Sequence, residues 1–183
     1  MRRMLTLLLL LTCMPDASAD PLAVGGIPAD FLGKTPESEE VRISQFKGRV
    51  VLVTFWASWC HYCAEELPYL DMLQRRAGEH VRVIAVNVRD SADDYRNIRR
   101  QLGDTPMTFT RDKSGAISKG FGVKGYPNLF VIDQTGAVAA IHVGFGKDSF
   151  KAINEDVIAL LEHPVRAAPG AAPGAAPSVA PAV

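Results

Sequence analysis

Cysteine is scarce in this chain, with three residues among 183. A four-cysteine zinc site is thereby excluded, and so is a framework of several disulfides. Charge of one sign is lacking as well. Lys plus Arg and Asp plus Glu each number 20, for a formal net charge of zero, and no run of five like charges occurs. Nucleic-acid binders concentrate a basic face, so no nucleic-acid partner is expected. No internal repeat is visible, which sets aside solenoids and propellers. The N-terminal apolar run, Leu5 to Leu11 interrupted by Thr6, is too short to cross a membrane as a helix.

That run nevertheless sits in a recognisable order. Arg2 and Arg3 precede it, and Ala17-Ser18-Ala19 follows as a small-x-small cleavage signal. This is the three-part grammar of a secretory leader, with the cut expected before Asp20. Residues 1–19 are thus read as a signal peptide and the mature protein as exported to the periplasm. The alternatives are an uncleaved anchor facing the periplasm, or lipid attachment at Cys13, where Thr12 departs from the small residue such sites take. Cleavage removes Cys13 and leaves Cys60 and Cys63 in an oxidising compartment.

The remainder divides into a domain over 20–163 and a tail over 164–183. The tail is Ala, Pro and Gly with two Ala-Ala-Pro-Gly repeats. It has nothing with which to build a core and is expected to be disordered. Within the domain, Val41-Arg42-Ile43 alternates as a small hairpin ahead of the core would. Val50 to Trp56 is a continuous β-branched and aromatic run, the mark of a strand buried on both faces. A helix is predicted from about Cys60 to Ala77, with Cys63, Leu67, Leu70 and Leu73 inward and Pro68 as a kink. Val81 to Val88 is a second strand, and strand–helix–strand makes a right-handed parallel βαβ unit.

Further on, Ser91 to Leu102 has helical spacing, with Asp90 or Ser91 as its cap. Thr108 to Thr110 reads as a short strand and Ala116 to Phe121 as a short helix. Asn128 to Ile132 and Ala137 to Val143 read as strands joined at a loop ending in Gly136. Asp148 to Leu161 is an amphipathic helix, predicted to turn Phe150, Ile153, Val157 and Leu161 inward. Trp56 and Trp59 read as packing residues first.

The chemistry concentrates at Trp59-Cys60-His61-Tyr62-Cys63. Two cysteines at this spacing can close a disulfide within one helical turn. Such a short loop removes little chain entropy, so an inert clip would stabilise weakly. Cys60 falls where a helix begins, and the unsatisfied N–H groups and dipole there favour a thiolate. Cys63, one turn in, is expected to be more buried. That asymmetry suits an attacking Cys60 and a resolving Cys63. A Cys-x-x-Cys beside a βαβ pattern points to redox work. The four histidines, His61, His80, His142 and His163, are scattered. No metal site is therefore expected, although a copper-handling module stands as an alternative class. The pair carries electrons itself and calls for no cofactor. A peroxiredoxin signature is absent, since the residue seven before Cys60 is Val53.

Phe55-Trp56-Ala57-Ser58-Trp59-Cys60-x-x-Cys63 followed by Pro68 resembles the thioredoxin superfamily. The longer match is to its exported TlpA/ResA-like branch. Lys47-Gly48-Arg49-Val50-Val51-Leu52-Val53, Glu66-Leu67-Pro68, Gly122-Val123-x-Gly125-x-Pro127 and Ile132-Asp133-x-x-Gly136 look like that branch. The resemblance runs from about Ile27 to Leu161. It implies a thioredoxin-like α/β fold, with a central mixed β-sheet flanked by helices and an N-terminal β-hairpin extension. It implies that Tyr126-Pro127 is the cis-proline site that helps dock substrate, with Trp59 beside it.

Glu66 matches the branch's buried glutamate, an acid–base group for Cys63. Thr54 stands where thioredoxin carries a buried aspartate. The Ser91–Leu102 stretch matches the branch's insertion. His61-Tyr62 departs from the usual pairs. A protonated His61 would stabilise a Cys60 thiolate and make the protein more oxidising, which keeps a disulfide-donating role as the alternative. The activity implied is a protein-disulfide reductase. It acts on disulfides or thiols of exported proteins such as apocytochrome c and is recharged by a membrane thiol-transfer protein.

Overall fold

The computed structural model describes residues 22–165. The expected leader over 1–19 and all but the first residues of the expected tail lie outside the described residues.

Seven strands form one sheet in the order β2-β1-β5-β4-β3-β6-β7. They are β1 (Phe31–Lys34), β2 (Glu40–Arg42), β3 (Val50–Trp56), β4 (Val81–Val88), β5 (Thr108–Asp112), β6 (Asn128–Ile132) and β7 (Val138–Val143). The helices are α1 (His61–Ala77), α2 (Ala92–Leu102), α3 (Ala116–Gly120) and α4 (Lys147–Glu162). The pairs β3–β4 and β4–β5 are parallel, whereas β3–β6 and β6–β7 are antiparallel. A mixed sheet flanked by helices, with an N-terminal hairpin, is the architecture the resemblance implies.

The period-two alternation of a strand sorts the core into two layers. On one face, Val50, Leu52 and Trp56 pack with Val83, Ala85, Leu129 and Val131. They lie under Leu67, Leu70 and Leu73 of α1, Tyr95 of α2, and Ile153 and Val157 of α4. Each such side chain, fully buried, contributes roughly 1.5–3 kcal/mol. On the other face, Val51, Val53 and Phe55 join Ile84, Val86, Phe130 and Ile132. Leu32, Val41 and Ile43 of the N-terminal segment and Phe121 after α3 cover them. Strand β3 is buried along its whole length because both faces are roofed. Thr54, flanked in sequence by Val53 and Phe55, shares the alternation of Leu52 and Trp56 and so faces α1.

The hairpin is more deeply built in than its short alternation suggests. Strand β1 pairs antiparallel with β5 as well as with β2, which makes the extension part of the main sheet. Gly33 permits this approach. Its φ is +105°, and a Cβ there would meet the Thr110 Cβ at 3.0 Å. Ile43 leaves the strand for a 3-10 turn over Ile43–Phe46, so the predicted alternation ends one residue early.

Helix α4 also differs from its prediction. Ile153 and Val157 are buried, but Phe150 and Leu161 are 41% and 37% exposed. Sheet order explains this: β7 is an edge strand, and α4 packs on β7 and β3. The sheet roofs only the centre of the apolar stripe. The Phe150 ring rests instead against Tyr69 and Phe145, at centroid distances of 4.6 and 4.8 Å.

Candidate active site

Strand β3 ends at Trp56 and the chain turns through Ala57, Ser58 and Trp59. The Cys60 N–H donates to the Ala57 carbonyl at 3.1 Å, which closes the turn. Cys60 is the N-cap of α1 in extended backbone, and its Sγ accepts the Cys63 N–H at 3.2 Å. An orphan helix donor is thus aimed at the sulfur, as an anion-stabilising terminus requires. The two sulfurs are joined in a disulfide, with Cα atoms 5.3 Å apart. Cys60 is 7% exposed and Cys63 1%.

The loop before Cys60 is held from β4. Asp90 Oδ2 accepts the Ser58 N–H and an Asn87 side-chain N–H, each at 2.6 Å. The Asp90 carbonyl accepts from Arg111 of β5 at 2.5 Å. The sequence offered Asp90 only as a possible helix cap. Ser91 fills that place, its Oγ accepting the Asp94 N–H at 3.1 Å. An acidic residue just past a parallel strand that neighbours β3 was the available signal, because such strand ends face the same end of the sheet as the cysteines.

On the outer side, His61, Tyr62 and Trp59 stand in solvent. Trp59 is 74% exposed, against the packing role expected of it, while Trp56 is buried as expected. The turn carries Trp59 past the end of the sheet, where its ring meets Tyr126 edge-on at 5.7 Å and no second layer covers it. His61 lies 3.3 Å from Glu65 one turn along, both exposed, and its ring tilts on Tyr62 at 5.6 Å. The Tyr126-Pro127 peptide is cis. Pro127 is buried and Tyr126 half-buried. Burial pushes the Tyr126 hydroxyl above its ordinary pKa range. The β3–β6 register pairs Phe55 with Asn128, so Pro127 enters β6 at the end of β3 from which the cysteines rise.

On the inner side lies Glu66, three residues after Cys63 and on its helical face. It is fully buried, whereas its neighbour Glu65 is exposed. Glu66 Oε2 accepts the Thr54 hydroxyl at 2.5 Å, and among the described residues Oε1 is buried without a partner. Burial raises the Glu66 pKa to about 7, and the Thr54 hydrogen bond pulls the other way. A carboxyl at that value holds and releases a proton near neutrality.

A cavity of about 800 Å³ lies between β1, α2 and α3, lined in part by Lys34, Tyr95, Arg96, Arg111 and Lys113. It contains none of the cysteines, Glu66, Trp59, Tyr126 or Pro127. The cysteine pair instead sits beside an open aromatic rim formed by Trp59 and Tyr126. Among the described residues, no three His, Cys, Asp or Glu side chains gather as a metal-binding group.

Comparison with known proteins agrees with this geometry. The family model described as Redoxin matches residues 14–157. The thioredoxin-like protein YneN of Bacillus subtilis is 33% identical over 117 residues, 63% of this chain and 68% of that one. The thiol-disulfide oxidoreductase ResA of Geobacillus thermodenitrificans is 30% identical over 126 residues, covering 67% and 71%. Among solved structures, a thiol:disulfide interchange protein DsbE from Chlorobium tepidum, itself assigned that role provisionally, superposes with a TM-score of 0.72. It is 31% identical, over 76% of this chain and 99% of that one. The chain belongs to the Redoxin family, in the ResA-like branch of the thioredoxin superfamily, and is a thiol–disulfide oxidoreductase.

Proposed function

We propose that this oxidoreductase is a periplasm-facing reductase of disulfides in exported proteins such as apocytochrome c, whose cysteines it returns to thiols ready for haem attachment. The observation that carries the reading is Glu66, fully buried one turn below Cys63 with a pKa near neutrality. The reduced Cys60 thiolate attacks a substrate disulfide. A Cys60–substrate disulfide forms, and one substrate sulfur leaves as a thiolate and takes a proton. Cys63 passes its proton to Glu66 and attacks the Cys60 sulfur. The Cys60–Cys63 disulfide closes, and the second substrate sulfur departs as a thiolate that takes up a proton as Glu66 releases its own. Two electrons have moved from the dithiol to the substrate. A membrane thiol-transfer protein returns them by the reverse exchange.

Trp59, Tyr126 and Pro127 form the docking surface. Trp59 and Tyr126 offer aromatic faces at the rim, and cis-Pro127 leaves backbone for an extended substrate segment. His61 and Tyr62 face solvent and would tune the pair from outside. The pairing of His61 with Glu65 places a carboxylate beside the imidazole. That weakens the extra positive field an oxidant would draw on, and it favours the reducing direction. Export rests on the leader grammar of residues 1–19, in accord with an exposed lipoprotein thioredoxin of Streptococcus pneumoniae that is 30% identical over 71% of this chain.

The test is the reduction potential of the Cys60–Cys63 couple, equilibrated in glutathione buffers. A reductase falls near or below about −270 mV, the thioredoxin value; a value toward about −120 mV, that of a strong oxidant, overturns the direction.

A further inference from the structure

Thr54 and Glu66 are both fully buried, and each has one feature that only the other explains. Thr54 sits in a strand of Val, Leu and Phe, between Ala85 of β4 and Leu129 of β6, where a hydroxyl costs free energy unless it is bonded. Glu66 has two oxygens in the same apolar layer and one protein donor, the Thr54 hydroxyl on Oε2. Among the described residues Oε1 is buried and unpartnered.

We infer that Thr54 is a positioning residue for Glu66: its hydroxyl occupies Oε2 and thereby makes Oε1 the oxygen that takes and returns the Cys63 proton. A threonine hydroxyl has a single proton to donate. With that proton committed to Oε2, an acid proton on the carboxyl belongs on Oε1. The same bond favours the ionised carboxylate over the neutral acid and so offsets part of what burial does. The inference rests on the reading of Glu66 as the acid–base group.

Other titrating groups near Glu66 do not compete for this part. On α1, Tyr69 lies three residues further along the same face, but its hydroxyl donates to the Phe150 carbonyl at 3.1 Å, away toward α4. Tyr62 and Glu65 are exposed. Strands β4 and β6 present Ala85 and Leu129 beside Thr54, and α4 presents Ile153 and Val157 to this layer. Tyr126 packs at its margin with the hydroxyl near Ser118. Reduced Cys63 is the group left to exchange a proton with Glu66.

The experiment is the pH–rate profile of insulin-disulfide reduction by the full mature chain, driven by dithiothreitol. Thr54→Val keeps the shape and removes the donor. The rising limb of the profile should move about one pH unit to the alkaline side, a rate loss of about fivefold at pH 7 that approaches tenfold at lower pH and recovers at high pH. Thr54→Ser should restore the wild-type limb. In a Glu66→Gln background, Thr54→Val should change nothing further. An unshifted limb in Thr54→Val, with the limb lost in Glu66→Gln, overturns the role of Thr54 and leaves that of Glu66 intact. A wild-type profile in Glu66→Gln overturns the Glu66 reading itself. Thr54→Ala replaces the valine variant if that one does not fold. Infrared titration of the buried carboxyl then reads the same shift without turnover: an unchanged midpoint refutes the inference.

Discussion

Glu65 and Glu66 are neighbours in the chain, and α1 sends them to opposite regions of the site. Glu65 joins the rim, where His61, Tyr62 and Trp59 stand in solvent. Glu66 joins the floor, where Thr54, Trp56 and Cys63 are sealed under the sheet. The rim is made of groups that gain little by folding and remain available to a partner. The floor is made of groups whose properties the fold has altered, since burial disfavours a charge that water would have stabilised. One rotation of about 100° along a helix separates a carboxylate exposed to water from a buried one with a pKa near 7. The proposed docking and proton-handling roles are therefore divided between two layers that meet at the disulfide.

The comparison breaks most severely at the disulfide. Cys60→Ser should abolish insulin reduction, whereas Cys63→Ser should accumulate a substrate disulfide on Cys60, visible by mass spectrometry. Activity surviving in Cys60→Ser would remove it as the nucleophile. Next in size is the floor. Glu66→Gln should lower turnover by about 10²-fold, the lower end for a lost acid–base group.

The same substitution has a stability signature of opposite sign. The folded state holds the Glu66 proton up to about pH 7, while the unfolded chain releases it near the ordinary value of 4.5. Between those values the native state binds more protons, so stability falls as pH rises through this window. The loss is on the order of 3 kcal/mol. Glu66→Gln should flatten that fall and be the more stable protein at alkaline pH, as read by urea unfolding across pH.

Asp90 lies between the two layers and tests how firmly they are joined. Asp90→Ala strips the Ser58 N–H and Asn87 of their acceptor and should cost about 1–3 kcal/mol by chemical denaturation. A several-fold loss of activity should follow as the turn before Cys60 loosens. The smallest effect on stability belongs to the rim. Trp59→Ala should change unfolding by no more than about 0.5 kcal/mol, yet raise KM for a protein substrate several-fold. A large stability loss there would mean that Trp59 is a packing residue after all.

Strands β3, β4 and β6 were legible to the residue because each is roofed on both faces along nearly all its length and so reads as a largely apolar run, broken only by Thr54 in β3, Arg82 and Asn87 in β4 and Asn128 in β6. The same logic failed at the margins. The stripe on α4 gave the correct centre, Ile153 and Val157, but its flanks Phe150 and Leu161 overhang an edge strand that periodicity cannot see. Trp59 misled for a related reason: a large aromatic beside a buried run reads as core unless the turn that ejects it is known. Gln74 gave no signal at all. It is buried because its side chain takes the Val83 N–H and donates to the Pro106 carbonyl, at 2.9 Å each, partners that only the folded chain assembles.

The family resemblance, not spacing, set Glu66 apart from Glu65; by itself the local pattern of the sequence determined the redox pair, a Cys-x-x-Cys at a helix start, after a strand and before a second one. Local spacing suffices for this, because strand and helix periods and the orphan N–H groups of a helix end are properties of a few consecutive residues. Tertiary structure alone decided the environment of each group. The Asp90 anchor of the Ser58 turn, the approach of Tyr126 to Trp59 and the donation from Thr54 to Glu66 join residues 32, 67 and 12 positions apart. The burial that moves a carboxyl toward neutrality exists only once two helices and a sheet have closed over it.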